Sequence, residues 1–307
     1  MKLPVLLIGF NRPDLAELTL NRILEYKPAT IYFAVDGGRD GKFGEADKVT
    51  SVRQLIKKIP KSIPVKTRFS KDNQGCRLGV SSAISWFFES EEMGIILEDD
   101  CLPDLSFFSF CEDLLERYKF DTEIGMVSGV NFFYDQIHLK ESYFYSKYFH
   151  IWGWATWRRA WEGYKSKDLE LEKVDTVLSK YFKSKRKQKT WSHWIKESAS
   201  GKVDTWDHQW SYHNWKEGRV SIMPSKNLVR NLGFRADGTH TLDQNSSFAN
   251  LEIEKLVFPL VHPKTKDLVT FFHEFVEIYY YPSRIHRVLL KFKIFIFNLC
   301  GKYNEID

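Results

Sequence analysis

Short apolar runs alternate with polar stretches of helical period, and the alternation repeats four times in the first hundred residues. Val5-Leu6-Leu7-Ile8-Gly9-Phe10 is a compact apolar run broken at Asn11-Arg12-Pro13-Asp14, after which Leu15, Leu18, Ile23 and Leu24 recur at helical spacing. Thr30-Ile31-Tyr32-Phe33-Ala34-Val35 predicts a second strand, ending at Asp36-Gly37-Gly38, where glycines let backbone approach a ligand. A polar helix through Val52 to Ile59 leads to a third strand, Val65 to Phe69. Its exit, Asn73-Gln74-Gly75-Cys76-Arg77, opens a helix over 78–89. The fourth strand, Gly94-Ile95-Ile96-Leu97, runs straight into Glu98-Asp99-Asp100. This order predicts an α/β fold with a mostly parallel, doubly wound, Rossmann-like sheet whose ligands gather beyond the carboxyl ends of its strands.

The second part of the chain is richer in rings. An amphipathic helix over 107–118 follows Pro103 and Asp104, and 124–130 predicts another strand. Four tryptophans then fall in ten residues: Trp157 and Trp161 sit one helical turn apart, as core rings would, whereas Trp152-Gly153-Trp154 predicts a loop whose rings face a ligand. Asp204-Thr205-Trp206-Asp207 opens a further helix, with Asp204 as its cap and Asp207 in its first turn. The stretch 227–241 carries Gly, Asn and His240 and has the make-up of a loop that closes over ligands; His240 would meet phosphate or metal, or simply solvent. The tail is aromatic over 271–281, and over 285–300 it mixes Leu, Ile and Phe with Arg287, Lys291 and Lys293. That segment is too short and too charged to span a bilayer; it suits a membrane interface, a partner or a buried terminal helix.

Length and composition narrow the class. At 307 residues the chain can bury a full core, and its ten Trp exceed what a core requires, leaving rings for stacking on a ligand. The net charge of +5 is modest, and the basic run Lys183 to Lys189 reads as a solvated helix face, not a nucleic-acid surface. Cys76, Cys101, Cys111 and Cys300 have no metal-ligand spacing, so reduced thiols in the cytoplasm are expected, and Lys2 with the short apolar run after it does not make a signal peptide. No Gly-rich dinucleotide fingerprint and no phosphate-loop motif is present.

The chemistry concentrates at the predicted strand ends. Three consecutive carboxylates after an apolar strand repel one another and resist desolvation, so a hard cation, magnesium or manganese with substrate phosphates, is one compensation. A solvated acidic turn before the next helix is the other. Arg12, Asp36, Arg77 and Glu98 to Asp100 all fall on the same predicted rim. Asp207, a carboxylate outside that cluster and flanked by rings, is the candidate general base.

The ordered series Glu98-Asp99-Asp100, Leu102-Pro103-Asp104, Trp152-Gly153-Trp154, Trp206-Asp207 and Gly233-Phe234 with His240 resembles the nucleotide-sugar glycosyltransferases of the GT-A fold. Within them it is most similar to the N-acetylglucosaminyltransferase I type and to bacterial surface-polysaccharide transferases. The resemblance implies inverting transfer from a UDP-sugar, N-acetylglucosamine or a related hexose, to a glycan or lipid-linked glycan. It implies manganese or magnesium on Asp100, ribose at Asp99, donor sugar at Glu98 and nucleotide contacts from Arg12 and Asp36. Arg77, Trp154 and His240 would add looser contacts, and Asp207 would be the base. The expected organisation is a catalytic domain over 1–245, with its nucleotide-sugar half over 1–120 and its acceptor half over 121–245, then a tail over 246–307 that touches the inner face of the cell membrane or a partner. Two other readings remain open: a sugar-1-phosphate nucleotidyltransferase, which usually carries a Gly-rich basic loop after its first strand, and a non-catalytic carbohydrate-binding or membrane scaffold.

Overall fold

The computed structural model describes residues 2–133, 139–235 and 251–268. The four predicted strand–helix repeats are all present. Strand β1, Val5–Gly9, is buried throughout and exits within three residues into helix α1, Pro13–Tyr26. Proline at its first turn has no N–H to leave unpaired, and Asp14 there suits the helix dipole. Strand β2 is Ile31–Val35, helix α2 Glu45–Gln54, strand β3 Val65–Phe69 and helix α3 Gly75–Ser90. Strand β4, Met93–Glu98, ends in the acidic triplet, and the short β5, Cys101–Pro103, precedes α4, Leu105–Arg117. Asp104 caps α4, its carboxylate accepting the Ser106 N–H at 2.7 Å.

The later elements are β6, Ile124–Ser128; β7, Tyr143–Ser146; β8, Trp154–Trp157; α5, Arg158–Trp161; α6, Val174–Tyr181; α7, Lys185–Ala199; α8, Asp207–Lys216; β9, Val220–Pro224; and β10, Val229–Asn231. One eight-stranded sheet runs in the order β3-β2-β1-β4-β8-β6-β9-β7, and β5 pairs with β10 beside it. The first four strands are parallel, β8 lies antiparallel between β4 and β6, β6 and β9 are parallel, and β7 is an antiparallel edge. Helices cover both faces. A side chain at Gly9 would start 3.0 Å from Val52 of α2, and one at Gly94, which has the opposite parity across the β1–β4 register, would start 2.3 Å from Phe87 of α3.

The tryptophan-rich stretch departs from the pattern expected of it. Trp154 to Trp157 is strand β8, with Trp154 opposite Ile96 and Trp157 opposite Met93, so the expected ligand-facing loop ends at Gly153. Trp157 therefore shares no helix with Trp161; its indole N–H donates to the Leu115 carbonyl of α4 at 3.0 Å. The basic run falls at the start of α7, with Lys183, Lys185, Arg186 and Lys189 exposed. The expected boundary at 245/246 lies outside the described residues. Beyond it, Leu256 and Leu260 are buried in the core, and Ser142 and Val261 exchange hydrogen bonds. The strongly aromatic tail, 271–307, is likewise outside the described residues. Among those that are described, no helix is long and apolar enough to cross a membrane.

Candidate functional site

A cavity of about 320 Å³ opens beyond the carboxyl ends of β1, β2 and β4, between the sheet and α3, and the segment 204–207 closes its far side. Six side chains singled out in the sequence line it: Arg12, Asp36, Glu98, Asp99, Asp100 and Asp207. Strand geometry brings the first five together, because parallel neighbours in register deliver their exits to one edge. Asp207 arrives from the start of α8, more than a hundred residues later.

The acidic triplet is compensated by Arg12. One guanidinium nitrogen donates to Asp100 Oδ2 at 2.9 Å and the other to Asp99 Oδ1, while the Phe10 N–H donates to Asp99 Oδ2 at 3.1 Å. The side chains are 14%, 3% and 12% exposed for Arg12, Asp99 and Asp100, which makes this a buried ion cluster and not a surface pair. Burial works against the Arg12 charge, but Asp99 and Asp100 outweigh it and push its pKa up. Burial drives Asp99 up to about 6 against the pull of Arg12. Glu98 rises to about 8, through burial first and then repulsion by Asp100 and Asp99. Burial and the two neighbouring carboxylates thus favour the neutral form of Glu98. A glycine is required opposite: a Cβ at Gly233 would lie 2.3 Å from Asp100 Oδ2.

The donor set fits a magnesium or manganese ion only in part. Among the described residues no three carboxylate, His or Cys side chains converge on one point. Both oxygens of Asp99 are spent on Arg12 and Phe10, and Asp100 gives Oδ2 to Arg12 and Oδ1 to the Cys101 thiol at 3.6 Å, so an ion facing Asp100 and Glu98 would share Asp100 with those donors. Small hard cations that take one or two carboxylates and complete their shell with water and substrate phosphates match such a site.

Asp207 is fixed from below. Its Oδ1 accepts the Thr205 hydroxyl, leaving Oδ2 without a partner among the described residues. Trp206, which lines the cavity, stacks on Trp154 at 5.6 Å and 24°, and Trp154 and Trp161 pack on Trp210 at 5.5 and 5.1 Å. Trp154 is thus 1% exposed core packed beneath Trp206 and does not line the cavity; Trp152 is the ring of that motif that does.

Three more expectations change. Asp36 lines the cavity, yet its oxygens accept the Gly37 and Gln74 N–H groups and the Asn73 amide, so it organises the loop that opens α3. Arg77 turns away, its guanidinium donating to the Ser198 and Ala199 carbonyls at 3.3 Å. His240 lies outside the described residues. Asp204 does not cap α8; it accepts the Cys76 and Arg77 N–H groups at 2.8 and 2.9 Å and caps α3 from across the cavity. Thr205 and Asn231 also line the site without a sequence signal that marks them, since polar loop residues carry no periodicity.

No protein-family model matches the sequence, and no curated protein matches it. Among solved structures the chain is similar to HddC from Yersinia pseudotuberculosis, at 13% identity and a TM-score of 0.27, over 37% of this chain and 55% of that one. It is also similar to a 4-diphosphocytidyl-2C-methyl-D-erythritol synthase from Anaerococcus prevotii, at 10% identity and a TM-score of 0.33, over 60% of this chain and 77% of that one. This chain thus spans about half the length of HddC. At these TM-scores neither likeness bears on activity.

Proposed function

We propose that this protein is an inverting, metal-dependent glycosyltransferase that moves a hexose, such as N-acetylglucosamine, from a UDP-sugar to a hydroxyl of a glycan or lipid-linked glycan. The observation that carries this reading is that Asp207 and the Glu98–Asp100 triplet, remote in sequence, line one cavity. Asp207 takes the proton of the acceptor hydroxyl as its oxygen attacks the anomeric carbon, and Thr205, bonded to Oδ1, fixes the carboxylate for that transfer. Manganese or magnesium on Asp100, when bound, neutralises charge on the departing diphosphate. Arg12 holds Asp99 and Asp100 in place, and the apolar side chains Ile8, Val35 and Val80 exclude water from the donor.

The second reading is sugar-1-phosphate nucleotidyl transfer. Against it, β1 and α1 are separated by Phe10, Asn11 and Arg12 alone, with no Gly-rich loop, and Arg12 is committed to Asp99 and Asp100. Asp207→Asn tests the proposal: turnover falls roughly two to four orders of magnitude with donor affinity unchanged. Unchanged turnover removes Asp207 from the mechanism. Release of pyrophosphate from a nucleoside triphosphate and a sugar phosphate, in place of UDP from a UDP-sugar, replaces the proposal with the second reading.

A further inference from the structure

Three guanidinium groups line the cavity, and two are already spoken for. Arg12 is bound to Asp99 and Asp100, and Arg39 lies over the Phe10 ring with its Nη2 2.5 Å from Glu45 Oε1. Arg68 is the third, and among the described residues no hydrogen bond or ion pair holds it. Its place follows from register: Glu98 lies opposite Ile8, Ile8 opposite Ala34, and Ala34 opposite Arg68, so all four share one row on the α3 face of the sheet. Three strand spacings of about 4.8 Å put Arg68 roughly 14 Å from the acidic end. Between the two ends the floor is Ile8 and Ala34 and the opposite wall is Val80 and Ala83 of α3, a flat apolar slot with a bank of donors at its far end.

From this we infer that Arg68 is the residue that selects the nucleobase of the donor, and that the base is a carbonyl-bearing pyrimidine. The inference rests on the nucleotide-sugar reading above. A diphosphate held at the acidic end directs its nucleoside along the slot toward Arg68. A guanidinium offers five donors and no acceptor, so the base edge it meets must present carbonyl or ring-nitrogen acceptors, as uracil and cytosine do. Adenine has no carbonyl and sets its amino donor beside its ring nitrogens, while guanine O6 and N7 also suit a guanidinium and are separated from a pyrimidine by size. A cavity of about 320 Å³ is at the small end of ligand pockets and favours a single ring.

Calorimetric titration of UDP, CDP, GDP, ADP and pyrophosphate, each with manganese, into the full chain and into Arg68→Met and Arg68→Lys tests this. The wild type prefers UDP or CDP. Arg68→Met weakens that ligand roughly 10- to 100-fold, the scale of a bond from a charged donor, while ADP and pyrophosphate hold. Arg68→Lys, with its charge kept and its fork lost, falls between. Equal loss for pyrophosphate assigns Arg68 to the phosphates and overturns the inference, as does an unchanged panel in both variants. A wild type that binds nucleotides without base preference sinks this inference alone, whereas one that binds none of them sinks the nucleotide-sugar reading with it.

Discussion

Replacing Arg12 by Met keeps most of the side-chain volume and removes the charge that, among the described residues, compensates Asp99 and Asp100. The loss has a ceiling, because an orphaned carboxylate escapes by taking a proton. For a carboxylate of ordinary pKa near 3.9 that escape costs about 4 kcal/mol at pH 7 and about 1.5 kcal/mol at pH 5. Asp99, already pushed up to about 6, has less left to lose. The destabilisation at pH 7 should be about 3–5 kcal/mol, the scale for removing one partner of a buried pair. The sign follows from linkage: raised carboxylates bind protons in the folded state that the unfolded chain has released, so stability falls as pH rises between about 4 and 8, and Arg12→Met steepens that fall. Urea unfolding followed by circular dichroism at pH 5 and pH 7, with m-values compared, measures it. Adding manganese should raise the melting temperature of Arg12→Met more than that of the wild type, since the ion then supplies the missing charge. A loss below about 1 kcal/mol at pH 7, or equal losses at the two pH values, would refute the view that Arg12 holds the cluster.

Two other perturbations reach the scaffold of the site. Asp204→Ala leaves the Cys76 and Arg77 N–H groups uncapped, which should cost about 1 kcal/mol and speed amide exchange at 75–77 and at 203–207 together; exchange confined to one segment would show that the two are not coupled. His213 is pushed down to about 4 by burial and by Arg219, so it stays neutral in the fold while the unfolded chain takes a proton near pH 6.5. Stability is therefore lost as pH drops from about 6.5 toward 4, by about 2 to 3 kcal/mol at pH 4.5 from this residue, and unfolding of His213→Gln at pH 7 and 4.5 should show that much less pH dependence than the wild type.

The rim of the site built by strand ends was legible because its logic is local. An apolar run that ends in charge announces both a strand and the end at which that strand meets a ligand, and Arg12, Asp36 and Glu98 to Asp100 all follow that rule. What the rule cannot give is the partner of each group. Asp36 and Arg77 sit beside strand and helix ends as expected, but one is consumed by the loop Asn73–Gly75 and the other by carbonyls at the end of α7, contacts set by tertiary packing. The tryptophan-rich second part of the chain was harder to read. Trp154-Ala155-Thr156-Trp157 suits a strand by composition, yet only its insertion between β4 and β6 shows it to be one, and that non-local antiparallel pairing leaves no mark in the chain. Asp204 was placed on the nearer helix because a capping residue is usually read with the helix that follows it.

The indoles beneath Asp207 have an optical consequence. Trp154, Trp161, Trp206 and Trp210 lie with ring centres 5.1 to 6.4 Å apart, close enough to share excitation as one chromophore, and Trp206 also borders the cavity. Light absorbed in the cluster can thus reach Trp206 at the cavity wall, and the protein carries its own fluorescent gauge of whether that chamber is filled.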